Sequence, residues 1–150
     1  MKAAHPYVNF AGNTEEAFRF YESAFGVEIA MLVRYRDFGE SMSQLPDSDR
    51  DKIAHVALPL GGGVMLMGTD SLESLGQSLV PGNNFSISLE PESREEAERM
   101  FAALSAGGEV QMAVQRTEWA EVFGTCVDCF GIQWMVSYAG DASFTAPQQG

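Results

Sequence analysis

Two side chains of this sequence, His55 and Glu121, could carry out acid–base chemistry. Imidazole is the side chain whose unperturbed pKa lies near neutral pH, so a histidine can accept a proton or orient a ligand. His55 lies at the start of the strand-like run Ile53–Leu60, where it shares a face with Ala57. The alternative is a histidine at the surface or at a strand edge. Glu121 lies beside a strand near the end of the chain and could act as a base, although strand alternation could place it outside a site. These two residues are the catalytic candidates.

The two cysteines, Cys126 and Cys129, have C-x-x-C spacing. One such pair cannot complete a zinc site without a second Cys or His pair. The pair lies at a strand end, whereas a helix start is the place where a thiol pKa would be lowered. We therefore expect the cysteines to serve packing, with a cytoplasmic redox pair as the alternative.

A repeated segment indicates how the chain positions these residues. Glu15–Tyr21 matches Glu95–Phe101 at an offset of 80 residues. Asn13 and Ser93 precede the two copies, and each is followed three residues later by a glutamate, which is the pattern of an N-cap with a capping box. The sequence therefore predicts two amphipathic helices of about three turns.

Each predicted helix follows one alternating, strand-like segment and precedes three more. The later strands are predicted at Glu28–Arg36, Ile53–Leu60 and Val64–Gly68 in the first half, and at Glu109–Gln115, Trp119–Val127 and Ile132–Tyr138 in the second. We therefore predict an α+β fold of two tandem βαβββ modules in one domain, residues 1–138. Module one spans 5–70, module two spans 83–138, and Ser71–Gly82 joins them. Residues 139–150 are predicted to be a flexible tail.

The polar, acidic segment Asp37–Asp51 separates two predicted strands of the first module. Its 15 residues are many for a hairpin connection. Loops of this length are often lids or mobile flaps, so we predict a lid here.

The composition excludes several classes of partner. The 150-residue chain carries 9 Lys and Arg against 21 Asp and Glu, a formal net charge of −12. An acidic surface repels nucleic-acid phosphates and anionic lipid, so we expect no nucleic-acid and no membrane partner. The opening residues are too short and polar for a signal peptide, and two cysteines then favour a reducing cytoplasm.

Two motifs give the chain a family resemblance over residues 5–138. The opening motif comprises Pro6–Asn13, Glu16-Ala17 and Phe20-Tyr21, and the closing motif comprises Trp119, Phe123-Gly124 and Asp128–Trp134. With the paired βαβββ modules, they resemble the vicinal oxygen chelate superfamily, which includes glyoxalases, bleomycin-resistance proteins and extradiol dioxygenases, and within it the PhnB-like branch. Some relatives are named as quinone methyltransferases. This sequence has no glycine-rich loop between a strand and a helix, so a methyl-donor site has no support.

The resemblance implies that each half curls its sheet, that the two concave faces enclose a ligand cavity, and that the helices cover the outer faces. Strand alternation assigns the residues to these faces. Those expected under the helices include Val8, Phe10, Phe85, Ile87, Leu89 and Trp134. Those expected to bind a ligand are Tyr7, Asn9, Asn84, Ser86, Gln133 and Met135. Trp119 is a candidate for the cavity or for an interface.

The resemblance also implies a metal site with His, Gln or Glu ligands from the first and last strands of each half. The corresponding positions of this sequence are His5 (or Pro6, if the register differs by one), Asn84, Met135, and Met65 or Met67. Of these, His5 is the competent ligand, because an amide or a thioether holds zinc, nickel or manganese weakly. We therefore expect no metal, with His5 as a weak candidate, and no other cofactor.

Three functions are compatible with these patterns. The first is a small-molecule-binding protein with a degraded metal site, in the manner of the bleomycin-resistance proteins and with an unknown ligand. The second is a divalent-metal-dependent enzyme of the glyoxalase type, which could be an isomerase, lyase, dioxygenase or thiol transferase. The third is an interaction module without a ligand. Family members commonly pair, so we expect a homodimer.

Overall fold

A computed structural model describes residues 1–148 of the chain. Contacts divide it into two compact units, the first covering Met1–Pro81 and the second beginning at Gly82. Residues 149 and 150, the end of the predicted tail, lie outside the described residues.

The first unit is a βαβββ module built on a four-stranded mixed sheet. Its strands are β1 (Tyr7–Phe10), β2 (Met31–Arg34), β3 (Ile53–Gly61) and β4 (Val64–Asp70), and the helix α1 spans Thr14–Phe25. The strand order is β1-β4-β3-β2. The β1 strand pairs parallel with β4, and the other pairs are antiparallel. The first predicted module is confirmed.

Helix α1 covers one face of this sheet. Val8 and Phe10 are each 3% exposed, and the ring of Phe18 is fully buried. Gly68 of β4 lies beneath that ring, since a Cβ atom there would meet the Phe18 side chain at 2.7 Å. A glycine thus allows the aromatic ring to approach the sheet backbone.

The start of α1 differs from its prediction. Asn13 is the N-cap residue but makes no side-chain capping hydrogen bond. Instead Asp70, at the end of β4, accepts hydrogen bonds from Thr14 N at 3.1 Å and from Thr14 Oγ1 at 2.6 Å. Its carboxylate also accepts from Gly12 N and Ile53 N. The Asp70 carboxylate lies at the N-terminal end of α1 and accepts hydrogen bonds from N–H groups that have no partner within the helix.

The segment predicted as a lid is structured instead. Tyr35–Met42 forms 3-10 turns interrupted at Gly39, and a short helix, α2, spans Asp47–Arg50. Tyr35, Leu45 and Leu72 form a small core of their own, with Met42 and Ala54 packed against it. The lid stays a prediction, whereas the turns and the small core were not predicted, because these apolar residues are too widely spaced in the sequence to show a period.

The second unit repeats the βαβββ arrangement. Its strands are β5 (Ile87–Leu89), β6 (Glu109–Gln115), β7 (Val122–Val127) and β8 (Gln133–Tyr138), and its helix α3 spans Arg94–Ser105. The order β5-β8-β7-β6, with β5 parallel to β8, matches that of the first sheet. Ser93 Oγ accepts from Glu96 N, so the predicted N-cap of α3 is confirmed.

The entry to the second module was predicted incorrectly. Phe85, expected in the core, is 60% exposed, and β5 begins only at Ile87. The side chain of Gln133 donates to the Phe85 carbonyl at 2.8 Å. An amide side chain therefore takes the place of a backbone partner here, and sheet pairing begins at Ile87 with Trp134.

The turn before β8 is organised by a buried aspartate. Asp128 accepts from the backbone of Phe130 and Ile132, and from Trp134 Nε1 at 2.8 Å. Trp134 is 1% exposed, which confirms it as a core residue. Trp119 is half exposed and contacts the Phe123 ring edge-on.

Across residues 1–148, none of the helices combines the length and the apolar character that a bilayer crossing requires.

Candidate functional site

The candidate site lies on the face of the first sheet opposite α1, hereafter the open face. Strand alternation puts Tyr7 and Asn9 on this face, and both are exposed. Register then adds residues from the neighbouring strands. Tyr7 pairs with Met67, Met67 with Ala57, and Ala57 with Met31. The predicted split of β1 between a buried and an open face is confirmed.

Tyr7 and His55 form a polar pair on the open face. The Tyr7 hydroxyl lies 3.1 Å from His55 Nδ1, and the two ring centroids are 5.7 Å apart. Tyr7 lies in β1 and His55 in β3, so the phenol reaches across β4 to the imidazole. His55 therefore lies on the same face as Tyr7. This is the placement that a proton-accepting or ligand-orienting role of His55 requires.

The hydrogen bond to Tyr7 occupies one ring nitrogen of His55. Within residues 1–148 the imidazole makes no second hydrogen bond. Nε2 is thus left for a ligand, as donor or acceptor according to the tautomer. A histidine oriented through one nitrogen and open at the other is suited to orienting a bound molecule.

The environment of Tyr7 keeps its hydroxyl protonated. Partial burial raises the pKa of Tyr7, the neighbouring Thr69 hydroxyl opposes this, and the charge of Tyr35 adds to the rise. The phenol is therefore a neutral donor and acceptor at physiological pH. Sequence patterns indicated Tyr7 and His55 separately and gave no sign of Thr69, which lies on the same face of β4 as Met67.

His5 has a structural partner that conflicts with metal binding. Its Nδ1 accepts a hydrogen bond from Met65 N at 3.0 Å. A neutral imidazole that accepts at Nδ1 carries its proton on Nε2, so neither nitrogen offers a free lone pair. His5 could bind a metal only after losing the bond to Met65.

The other metal positions of the resemblance offer poor ligands for divalent ions. Met65 and Met67 in the first unit and Met135 in the second have thioethers, and Asn84 has an amide. In the described part of the chain, no three His, Cys, Asp or Glu residues come close enough to hold an ion. These residues do not fit the metal centre that the superfamily resemblance implies.

In the second unit, Gln133 and Met135 alternate on β8 with the buried Trp134 and Val136, so they lie on the face opposite the core. Asn84 and Ser86 precede β5 and are exposed. Gln133 already donates to Phe85. Its amide is therefore partly committed to the fold.

Glu121 is held in an ion pair. Its carboxylate lies 2.7 Å from Arg94 Nη2 and accepts from Asp141 N at 2.8 Å. The hydrogen bond from Arg94 lowers the pKa of Glu121, and the backbone bond from Asp141 adds to this effect. A carboxylate stabilised in its charged form is a weak base, which makes Glu121 a poorer candidate than His55.

Cys126 is buried and Cys129 is exposed, and neither forms a disulfide bond within the described residues. Burial raises the pKa of Cys126 to about 11. Such a thiol is unreactive at neutral pH. This agrees with packing as the role of Cys126.

A family model described as 3-demethylubiquinone-9 3-methyltransferase matches residues 2–137. The chain belongs to this family. The PhnB protein from Bacillus cereus, solved in the same family, has the same fold at 24% identity, with a TM-score of 0.72 over 91% of this chain and 98% of that one. The resemblance to the PhnB-like branch is confirmed.

Two relatives are closer in sequence. Protein YjdN from Escherichia coli is 32% identical over 142 residues, which is 88% of this chain and 92% of YjdN. The structure of protein PA1353 from Pseudomonas aeruginosa is 38% identical, covers 90% of this chain and 96% of its own, and has a TM-score of 0.76. Further structures described as glyoxalase, dioxygenase or fosfomycin-resistance proteins share the fold at lower identity. These likenesses show that the chain shares its fold with proteins of the glyoxalase type.

Proposed function

We propose that this PhnB-like protein binds a small organic molecule on the open face of the first sheet, without a divalent metal. The observation that supports this is the Tyr7–His55 hydrogen bond. It orients a neutral phenol and an imidazole on a face that also carries the methionine and alanine side chains of Met31, Met67 and Ala57. Few polar anchors on an apolar wall are typical of ligand sites.

The degraded metal site is part of this proposal. His5 fixes the chain just before the start of β1 through its bond to Met65, and the other positions carry thioethers and an amide. A metal-dependent isomerase, lyase, dioxygenase or thiol transferase would need at least three ligands around one ion. Binding through shape and hydrogen bonds needs none.

The family description names a methyltransferase, and we do not extend that activity to this chain. The connection between β1 and α1 spans residues 11–13 and contains one glycine, Gly12. A nucleotide-type methyl donor is usually held by a glycine-rich turn at this place. The proposed anchors are Tyr7, Asn9 and His55 in the first unit. In the second unit, taken by itself, we propose Asn84, Ser86, Gln133 and Met135 as ligand-binding residues.

The test combines metal analysis with ligand screening. Protein purified without chelator is analysed for Zn, Ni, Mn and Fe, and ¹⁵N-labelled protein is screened by NMR against small aromatic and carbonyl compounds. We expect less than a tenth of an equivalent of metal, and saturable shifts at Tyr7 and His55 that Tyr7→Phe and His55→Gln weaken. Tyr138→Phe, on β8, is the matched control.

Stoichiometric metal that is lost in His5→Ala would instead support the glyoxalase-type enzyme. A screen without any saturable hit at the open face would contradict the binding proposal. We also propose a cytoplasmic homodimer, on the sequence arguments alone, and light scattering at micromolar concentration tests the dimer.

A further inference from the structure

The segment between β2 and β3 contains a cavity away from the open-face residues. It has a volume of about 330 Å³, and its walls are Arg36, Gly39, Glu40, Met42, Ser43 and Arg50. A space of this size accommodates a small metabolite. Two of the nine Lys and Arg residues of this acidic chain contribute to its walls.

Arg50 carries an unsatisfied donor in this cavity wall. Its Nη2 donates to the Ser43 carbonyl at 3.1 Å, and its Nη1 lies 3.3 Å from Asp47. Its Nε is the one buried side-chain nitrogen or oxygen of residues 1–148 that has no hydrogen-bond partner. A buried N–H without an acceptor is unfavourable, and such exceptions often mark functional positions.

The wall also contains an acid and an apolar surface. The backbone carbonyl of Glu40 accepts a hydrogen bond from Ser43 N, and its carboxylate has no partner among the described residues. Met42 packs against the small core of Tyr35, Leu45 and Leu72. The cavity wall thus combines Arg50, whose Nε donor is unmatched but covered, with an unmatched acceptor on Glu40 and the thioether of Met42.

We propose that this cavity binds a small aminocarboxylate, a molecule of the amino-acid class. Its carboxylate accepts from Nε and one Nη of Arg50, in the bidentate geometry that guanidinium groups favour. Its ammonium group faces Glu40, and its apolar part contacts Met42. Because Nε is covered in the free protein, Arg50 must turn on binding, and the turn gives its donor the acceptor that it lacks.

The frame around the cavity is ordered enough to hold such a site. Arg34 N donates to Asp37 at 2.8 Å, and Asp49 accepts from Ser74 Oγ at 2.7 Å. Arg36 is paired with Asp51. These contacts fix both ends of the segment. A turn of Arg50 would exchange its own contacts with Ser43 and Asp47 for those with the ligand.

The experiment is an NMR titration of the full chain with three matched probes: L-norvaline, pentanoate and butylamine. Norvaline carries both charges, whereas pentanoate lacks the ammonium group and butylamine lacks the carboxylate. We expect norvaline to bind at least tenfold more tightly than either, with a shift of the Arg50 Nε–Hε resonance. The open-face signals of Tyr7 and His55 are not expected to move, which separates this site from the proposed function.

Variants assign the two contacts. Arg50→Lys keeps the charge but removes the planar donor pair, and we expect at least a tenfold loss of norvaline affinity. Glu40→Gln is expected to abolish the preference for norvaline over pentanoate. Arg99→Lys and Glu16→Gln, both at exposed helix positions, are the controls and are expected to bind as the natural chain does.

Three results would overturn the proposal. One is the absence of a saturable shift with norvaline, and another is unchanged norvaline affinity in Arg50→Lys. The third is equal binding of pentanoate and norvaline to the natural chain, which would reduce the cavity to a simple anion site.

Discussion

The carboxylate of Asp70, at the end of β4, accepts a 2.6 Å hydrogen bond from the hydroxyl of Thr14, in the first turn of α1. The same carboxylate accepts from three backbone N–H groups, those of Gly12, Thr14 and Ile53. One buried side chain therefore joins the helix start, the last strand and the beginning of β3. The charge is buried and also fully hydrogen-bonded, which is the condition for such a group to be stable.

Asp70→Asn tests this junction. The amide would turn an N–H toward one of the donors that the carboxylate now satisfies, so we expect a loss of about 2–4 kcal/mol in the free energy of unfolding. Urea denaturation followed by circular dichroism measures it. Asp141→Asn, at an exposed position, is the control and should change stability by less than about 0.5 kcal/mol. Equal effects of the two changes would contradict a special role for Asp70.

The contact between Phe18 and Gly68 gives a second stability prediction. Gly68→Ala adds a methyl group 2.7 Å from the fully buried ring of Phe18. Overpacking of this kind costs about 1–3 kcal/mol, read as a lower melting temperature. Gly82→Ala is the matched control, since a Cβ atom there meets nothing within 4 Å. A normal melting temperature for Gly68→Ala would show that the helix can shift away from the sheet.

Cys126 predicts a dependence of stability on alkaline pH. Its pKa is raised to about 11 in the folded chain from an ordinary value of 9.0, because burial disfavours the thiolate. The folded state therefore holds the thiol proton more tightly than the unfolded state does. The resulting stability is present below pH 9 and is lost as the pH rises toward 11, by up to about 2–3 kcal/mol.

The measurement compares the unfolding free energy of the natural chain and of Cys126→Ala from pH 7 to 11. Cys126→Ala is less stable at pH 7, and the difference between the two proteins should shrink above pH 9. Other groups that titrate in this range, including Tyr7, contribute equally to both proteins and cancel. A constant difference across the range would contradict the buried-thiol explanation.

Gln133 gives a prediction about the start of the second module. Gln133→Met removes the hydrogen bond to the Phe85 carbonyl, so pairing of β5 with β8 should loosen at its first residue. We expect faster amide hydrogen exchange around Ile87 and a loss of about 0.5–1 kcal/mol of stability. Gln115→Met, at an exposed position on the edge strand β6, should leave exchange at Ile87 unchanged. Unaltered exchange in Gln133→Met would show that β5 is held by other contacts.

Local patterns predicted the elements of the fold. The repeat at Glu15 and Glu95 located both helices, and alternation assigned Val8 and Tyr7 to opposite faces of β1. What failed depended on residues far apart in sequence. The cap from Asp70 to Thr14 spans 56 positions, which a local capping rule cannot detect. The exposure of Phe85 depends on where the pairing of β5 with β8 begins, at Ile87, and not on the alternation of residues around Phe85.

The candidate site was predicted in its parts but not in its pairing. Alternation selected Tyr7, and the chemistry of imidazole selected His55. Their contact requires the order β1-β4-β3, which puts a third strand between them. The cavity near Arg50 was not predicted, because the acidic segment 37–51 has no periodicity. Its length alone led to the prediction of a lid.

The anchoring of that segment limits how the protein can be redesigned or can diverge. The hydroxyl of Tyr35 donates a hydrogen bond to the backbone carbonyl of Asp70 at 2.9 Å. Leu72, just beyond β4, is 1% exposed and belongs to the same small core as Tyr35. Replacing residues 35–50 with a tight hairpin would expose Leu72 to water. It would also remove the hydrogen bond of Tyr35 to Asp70, the residue whose carboxylate caps α1. Chains shortened in this way should therefore unfold cooperatively at a lower melting temperature than the natural chain.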